Sequence, residues 1–443
     1  MVKFGALISL AILITLPGLA GCGSHHSKAN PKPSTEFSDD DDLKDSAQNE
    51  SHLINLPASQ HPVTAKKLWT RKSPGLLTDL NISRDGSTVL VATVPDRDSV
   101  EIGANRSRNF AAIFSSAGKT LAQVEMPAQI KSQTISADGS LSIIATYDDA
   151  IRGYDRSGHK VWEHEGICKP IALSSLKKIL CFHDDDSDPE LAFEVLDWGG
   201  NKIGSYSVKL DSLMIKVSQN EKYFVVGLNH GKVLLFDSTF KPVWQKSVDG
   251  ELTDLAISSA DSGQPTVAAL YNVKKTKKKH KKASKIPQIG EISSEQKIAL
   301  FAPGGKSPEL LPIHSRLDEL DLSTDGQALF GYGNDSDGQV IVRINEDRNG
   351  KDTLIWKRGD PKPAEYSSQL LSSQDWVWIG FEDMNSTSRH SHVLGFDSEG
   401  GVKTNIIVPS EEGSYLYAYS YADRAHILAV GSDDGRLSLF EVK

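Results

Sequence analysis

An apolar residue, a serine, a short polar turn and then an apolar run recur eight times along this chain. The copies are "ISRDGSTVLVA" from Ile82, "ISADGSLSIIA" from Ile135, "LSSLKKILCF" from Leu173 and "VSQNEKYFVVG" from Val217. They continue with "ISSADSGQPTVAAL" from Ile257, "LSTDGQALFG" from Leu322, "LSSQDWVWIG" from Leu371 and "YSYADRAHILAVG" from Tyr419. Short runs rich in Val, Ile, Leu and aromatics, bounded by turn residues, predict strands. Asp-Gly at Asp85-Gly86, Asp138-Gly139 and Asp325-Gly326 supplies the bend between two of them. A second signature of strand, Gly-rich turn and strand follows most copies, as in "IFSSAGKTL", "YDRSGHKVW", "LDWGGNKIG" and "FDSEGGVKT". Each repeat therefore predicts four short strands, and no long segment has helical periodicity. Four strands repeated radially make a β-propeller blade, and eight repeats predict an all-β, eight-bladed propeller of antiparallel four-stranded blades.

The ends of the chain predict how the ring closes. The last repeat stops at "LSLFEVK", after its third strand. Near the other end, "TAKKLWTRK" (64–72) has no repeat of its own, and Trp69 matches the fourth-strand tryptophans Trp162, Trp244 and Trp356. The N-terminal strand is expected to complete the C-terminal blade, which removes an open edge. The four tryptophans occupy one repeat position, which points to packing between blades. Trp376 and Trp378 alternate in one strand and are likewise expected in the core.

The first residues have a different pattern. Lys3, an apolar run from Phe4 to Leu16 and Pro17-Gly18 follow the plan of a secretory signal peptide. The run is shorter than the about 20 residues that span a bilayer. Residues 23 to 61 are polar and rich in Ser, Asp, Pro and Asn, too poor in apolar residues to form a core. This organisation is 1–21 signal peptide, 22–61 disordered tether and 62–443 propeller. A flexible tether of this length reaches roughly 35 Å.

Charge and candidate chemistry change this picture in three places. The chain carries a formal net charge of −9, yet "KKTKKKHKKASK" contains eight lysines: Lys274, Lys275, Lys277, Lys278, Lys279, Lys281, Lys282 and Lys285. It interrupts the fifth repeat between its second and third strands. With no aromatic to stack a base and no helical pattern to enter a groove, it does not predict nucleic-acid binding. It is either a self-repelling loop or a contact for an anionic surface, such as lipid headgroups, a polysaccharide or an acidic protein. Cys168 and Cys181 are expected in the first and second strands of the third repeat, close enough for a disulfide; two separate buried thiols are the alternative. No Gly-x-Ser-x-Gly, His-Glu-x-x-His or P-loop is present. The acidic loop "HDDDSDPE" (183–190) lacks the glycine and distal glutamate of an EF-hand. No metal, cofactor or catalytic residue is expected, and the repeated serines are expected to cap backbone groups at turns.

Two resemblances sharpen the expectation. Leu19-Ala20-Gly21-Cys22 resembles the lipobox of bacterial lipoproteins, which implies cleavage before Cys22 and its acylation. Gly23, where an aspartate would mark inner-membrane retention, implies the outer membrane, facing the periplasm. Repeats of the "YDRSGHKVW" type resemble PQQ-like propeller repeats, and an eight-bladed PQQ-like propeller on a lipid anchor resembles the BamB family. That resemblance implies a monomeric, non-catalytic scaffold for envelope proteins, among them components of the β-barrel assembly machinery. The competing expectation is an enzyme, either a quinoprotein or one acting on cell wall or carbohydrate. Quinoproteins resemble this chain in repeat only, and their adjacent cysteine pair is missing here.

Overall fold

Several of the repeated serines tie the turn that follows them. Ser83 Oγ donates to Asp85 Oδ1 at 2.6 Å and accepts the Thr88 N–H at 3.0 Å. The same pair of bonds recurs at Ser136 with Asp138 and Leu141, and at Ser323 with Asp325 and Ala328. At Ser218, Asn220 takes the place of the aspartate. Gly86, Gly139 and Gly326 close these turns at φ of +69°, +66° and +73°, a region that costs glycine little. The turn returns the chain beside itself, and the alternating apolar residues then pair.

The computed structural model describes residues 38–39, 62–73, 75–95, 109–166, 168–182, 191–207, 213–259, 263–273, 295–305, 307–313, 315–335, 338–344, 353–357, 370–372, 376–383, 390–397, 401–408 and 416–443, all within one compact unit, Thr35–Lys443. Among the described residues there are eight antiparallel sheets and no α-helix. Blade one comprises Leu76–Ile82, Thr88–Val94, Asn109–Ser115 and Thr120–Met126 in spatial order. From first to fourth strand, blade two runs Ile130–Ile135 to Lys160–Glu165, three Lys169–Leu173 to Lys202–Ser207 and four Leu213–Val217 to Pro242–Ser247. Blade five runs Gly250–Ile257 to Glu309–Pro312, six Leu317–Leu322 to Thr353–Lys357 and seven Leu370–Ser372 to Val402–Ile407. In blade eight, Leu416–Ala422, Ile427–Ser432 and Arg436–Val442 are followed by Ala65–Lys72, which pairs antiparallel with Arg436–Val442.

Among the described residues the core is divided into eight apolar clusters, each shared by two successive blades. Phe193 of blade three meets Phe224 and Phe236 of blade four, and Leu270 of blade five meets Leu317 and Val340 of blade six. The series ends with Leu77 and Phe114 of blade one against Ala422 and Leu439 of blade eight, so the sheets form a closed ring. Trp69, Trp162 and Trp244 pack against the clusters between blades eight and one, two and three, and four and five. Each lies on a glycine in the third-to-fourth-strand turn of the following blade: Gly118, Gly200 and Gly305. A Cβ at any of the three would stand within 2.9 Å of the indole. Trp376 and Trp378 stack at 5.0 Å in the cluster between blades seven and eight.

A bulge recurs on the outer strands. The register slips between Lys160 and Trp162, across Lys202 and Gly204, between Pro242 and Trp244, and between Lys67 and Trp69. The skipped residue leaves the ladder, and in three of the four strands it turns outward. This accounts for the exposure of Val161 (53%), Ile203 (53%) and Leu68 (38%), which would otherwise resemble a docking patch. Leu68 shares the irregularity of true fourth strands, so Ala65–Lys72 has the local geometry of one.

Candidate functional site

The innermost strand of each blade faces the ring axis, and the two ends of that axis differ. At one end are the connections between first and second strands, four to six residues long in every blade but the fifth. Those of blades one to six are bonded to one another in series. Asp85 N–H donates to Ala137 O at 3.0 Å, and Ala137 N–H donates to Ser174 Oγ at 2.7 Å. Ser175 N–H donates to Glu221 Oε2 at 2.7 Å, Asn220 N–H to Ser259 Oγ at 3.2 Å, and Ser259 N–H to Thr324 O at 2.8 Å. Ile82 N–H donates to Ser420 Oγ at 3.3 Å, which links blade eight to blade one.

Three further bonds cross the ring. Gln219 of blade four donates to Asp423 of blade eight at 3.1 Å, the diametrically opposite blade. The Gln219 carbonyl accepts Thr324 Oγ1 of blade six at 2.9 Å. Glu221, also of blade four and 6% exposed, accepts Arg84 of blade one at 3.3 Å. Glu221 holds φ +58°, an unusual backbone for a non-glycine residue, and stands where the turns of blades one, two and six have glycine. The turn of blade four thus lies over the axis and closes this end with polar groups that are already paired.

The wall of the axis is charged. Lys216 Nζ of blade four lies 3.6 Å from Asp254 Oδ1 of blade five. Burial opposes the Lys216 charge, but the carboxylates of Asp254, Asp321 and Glu319 hold its pKa above the ordinary lysine value. Its side chain remains 47% accessible, so solvent still reaches a group that protein closely surrounds. Burial pushes Asp254 up, offset in part by Lys216 and by the Leu320 N–H at 2.7 Å. Asp79 of blade one is pushed up to about 6 by burial, against hydrogen bonds from the backbone of Leu80 and Gln133 and from Asn81. A carboxyl with a raised pKa binds its proton more tightly in the folded state. Its contribution is therefore complete below about pH 4 and is lost as pH rises through 6. Asp79→Asn is expected to remove that loss, on the order of 2 kcal/mol after allowance for partial exposure. Melting curves of both proteins from pH 4 to 8 should converge near pH 4 and be fully separated by pH 6, with the variant more stable; curves parallel from pH 4 to 6 would contradict this.

At the other end of the axis the innermost strands begin, and among the described residues five of them begin with a bulge. The register slips between Leu77 and Asp79, Ile130 and Ser132, Leu252 and Asp254, Leu317 and Glu319, and Leu416 and Ala418. The displaced residues are Thr78, Lys131, Thr253, Asp318 and Tyr417; Asp318 and Tyr417 are exposed. Bulges of this kind re-aim side chains beside functional sites. The second-to-third-strand connections emerge here. They include Tyr147, 63% exposed, and the long segments between Val94 and Asn109 and between Val273 and Gln296.

Two acidic turns at this end are internally neutralised. Asp148 pairs with Arg152 at 2.7 Å, and Arg152 continues to Glu163 at 3.2 Å. Asp434 pairs with Arg436 and accepts Ser432 Oγ. The sequence shows the acids clearly but gives no sign that an arginine two or four residues on, buried in the sheet, has claimed each one.

Cys168 and Cys181 have Cα atoms 5.4 Å apart and are drawn together as a disulfide requires. Cys168 lies one residue before the first strand of blade three, not within it, and the residue facing Cys181 is Pro170. The cysteines are diagonal neighbours on one sheet face, both 1% exposed. Intact mass after alkylation without reductant should show neither cysteine modified, and reduction should cost about 3 kcal/mol of stability. Cys22, the signal and tether segments other than Ser38–Asp39, the eight lysines, the 183–190 loop and the Trp356 side chain lie outside the described residues.

The strand pairing defines an eight-bladed β-propeller. No family model matches the chain, and no curated protein matches it. Among solved structures it is similar to BamB from Moraxella catarrhalis, at 14% identity over 85% of this chain and 98% of that one, with a TM-score of 0.48.

Proposed function

We propose that the protein is a lipid-anchored propeller of the cell envelope that binds other envelope proteins through the loop-bearing end of its axis and catalyses no reaction. The contrast between the two ends carries this reading. One end spends backbone amides and polar side chains on bonds from turn to turn and across the axis, whereas the other displays bulged strands, exposed tyrosines and long connections on a rigid ring. Binding loops on a rigid scaffold suit recognition. Acylated Cys22 would hold the ring near the membrane, and the resemblance of the repeats to the BamB family makes outer-membrane protein assembly the reading to test first. The eight lysines, from Lys274 to Lys285, follow Val267–Val273 and so belong to a connection at the same end. There they would meet an anionic lipid or polysaccharide surface.

Photo-crosslinking in intact cells tests the assignment. A crosslinker at Tyr147 or Tyr417 should capture envelope proteins, and one at Ser157, at the closed end, should not. Equal capture from both ends would remove the assignment. Binding of delipidated protein to anionic vesicles should fall steeply with salt and vanish when the eight lysines become Gly/Ser. A bound quinone absorbance in the purified protein would instead favour the enzyme.

A further inference from the structure

The outer edge of a blade leaves alternate N–H and C=O groups without a strand partner, and such an edge accepts an added strand. Among the described residues only blade eight has one. Ser38–Asp39 pairs antiparallel with Ala65–Lys72, Ser38 opposite Lys72 and Asp39 opposite Arg71, which makes this the one five-stranded sheet. Charge separates this edge from the other seven. Ala65–Lys72 contains Lys66, Lys67, Arg71 and Lys72 and no acid, whereas none of the other outer strands contains more than one Lys or Arg. The paired segment opens the acidic run Asp39, Asp40, Asp41, Asp42.

We propose that the Ala65–Lys72 edge is a strand-accepting site selective for an acidic extended segment, and that its occupant is the chain's own run beginning at Ser38–Asp39. The backbone ladder supplies attraction without regard to sequence, and the opposed charges choose this edge among eight. Docking the run shortens the free tether, because the chain returns to the ring well before Val63. It also covers the edge formed where the ring closes.

The register gives a direct test in the full-length protein. Ser38→Cys with Lys72→Cys should form an intramolecular disulfide on mild oxidation, whereas Ser38→Cys with Lys246→Cys, on the outer strand of blade four, should not. Equal linkage of both pairs, no linkage of either, or linkage only between two copies would overturn the proposal. Hydrogen exchange reads the charge selection without new cysteines. Changing Asp39 to Asp42 to lysine should speed exchange in the Ala65–Lys72 peptide by about tenfold while leaving the outer strand of blade four unchanged. Unchanged exchange in Ala65–Lys72 would show that the acidic run does not hold the edge.

Discussion

Deleting residues 62–72 should leave the protein aggregated or lower its melting temperature severely, whereas deleting residues 23–58 should change it little. The first deletion removes a strand that pairs with Arg436–Val442 along its whole length. It also removes the bond from Trp69 Nε1 to Ser116 O at 2.8 Å, that from Arg71 Nε to Gly118 O at 3.1 Å, and the contact of Thr70 Oγ1 with Ser438 Oγ at 2.9 Å. Two of these reach blade one, so the strand fastens the last blade to the first. Losing a packed tryptophan alone costs about 3 kcal/mol, and a folded domain has only about 5–15 kcal/mol to lose. The newly bare edge of Arg436–Val442 would invite pairing between molecules. Among the described residues, the second deletion forfeits only the short ladder at Ser38–Asp39. Trp69→Ala gives the milder form of the test, a loss of about 3 kcal/mol in denaturant melts. Similar melting of the two deletions would show that Ala65–Lys72 does not close the ring.

Cys22→Ala should move the protein from the membrane fraction to the soluble fraction. The apolar run from Phe4 to Leu16 is too short to span a bilayer, and among the described residues no helix is long and apolar enough to cross one. Acyl chains on Cys22 would then supply the attachment, and more than one chain on a residue makes it stable. Fractionation after a high-salt wash separates this from charge attraction by the lysines, which salt screens. Persistent sedimentation of the Cys22→Ala protein would refute lipid anchoring at that residue.

Much of the fold is legible in local sequence because its causes are local. The serine, the aspartate two residues on and the glycine after it sit within one turn, so "ISRDGS" announces both the bend and its bonds. Period-two alternation announces the strands, and eight copies announce eight blades. Trp69 marks its strand as a fourth strand because the bulge before it depends on a few neighbouring residues. Spacing also brought Cys168 and Cys181 together, although the diagonal offset depends on where the first strand begins.

The ends of the axis were decided only by the ring. Gln219 meets Asp423, and Glu221 meets Arg84, across sequence separations of 204 and 137 residues. No periodicity within a repeat can encode those meetings. Asp79 and Asp254 look like ordinary strand carboxylates until a bulge and a neighbouring blade desolvate them. Local patterns choose strands and turns because one residue's hydrogen bonds and burial are settled within its own hairpin. Charge and polarity at the axis depend instead on which blades closure sets side by side.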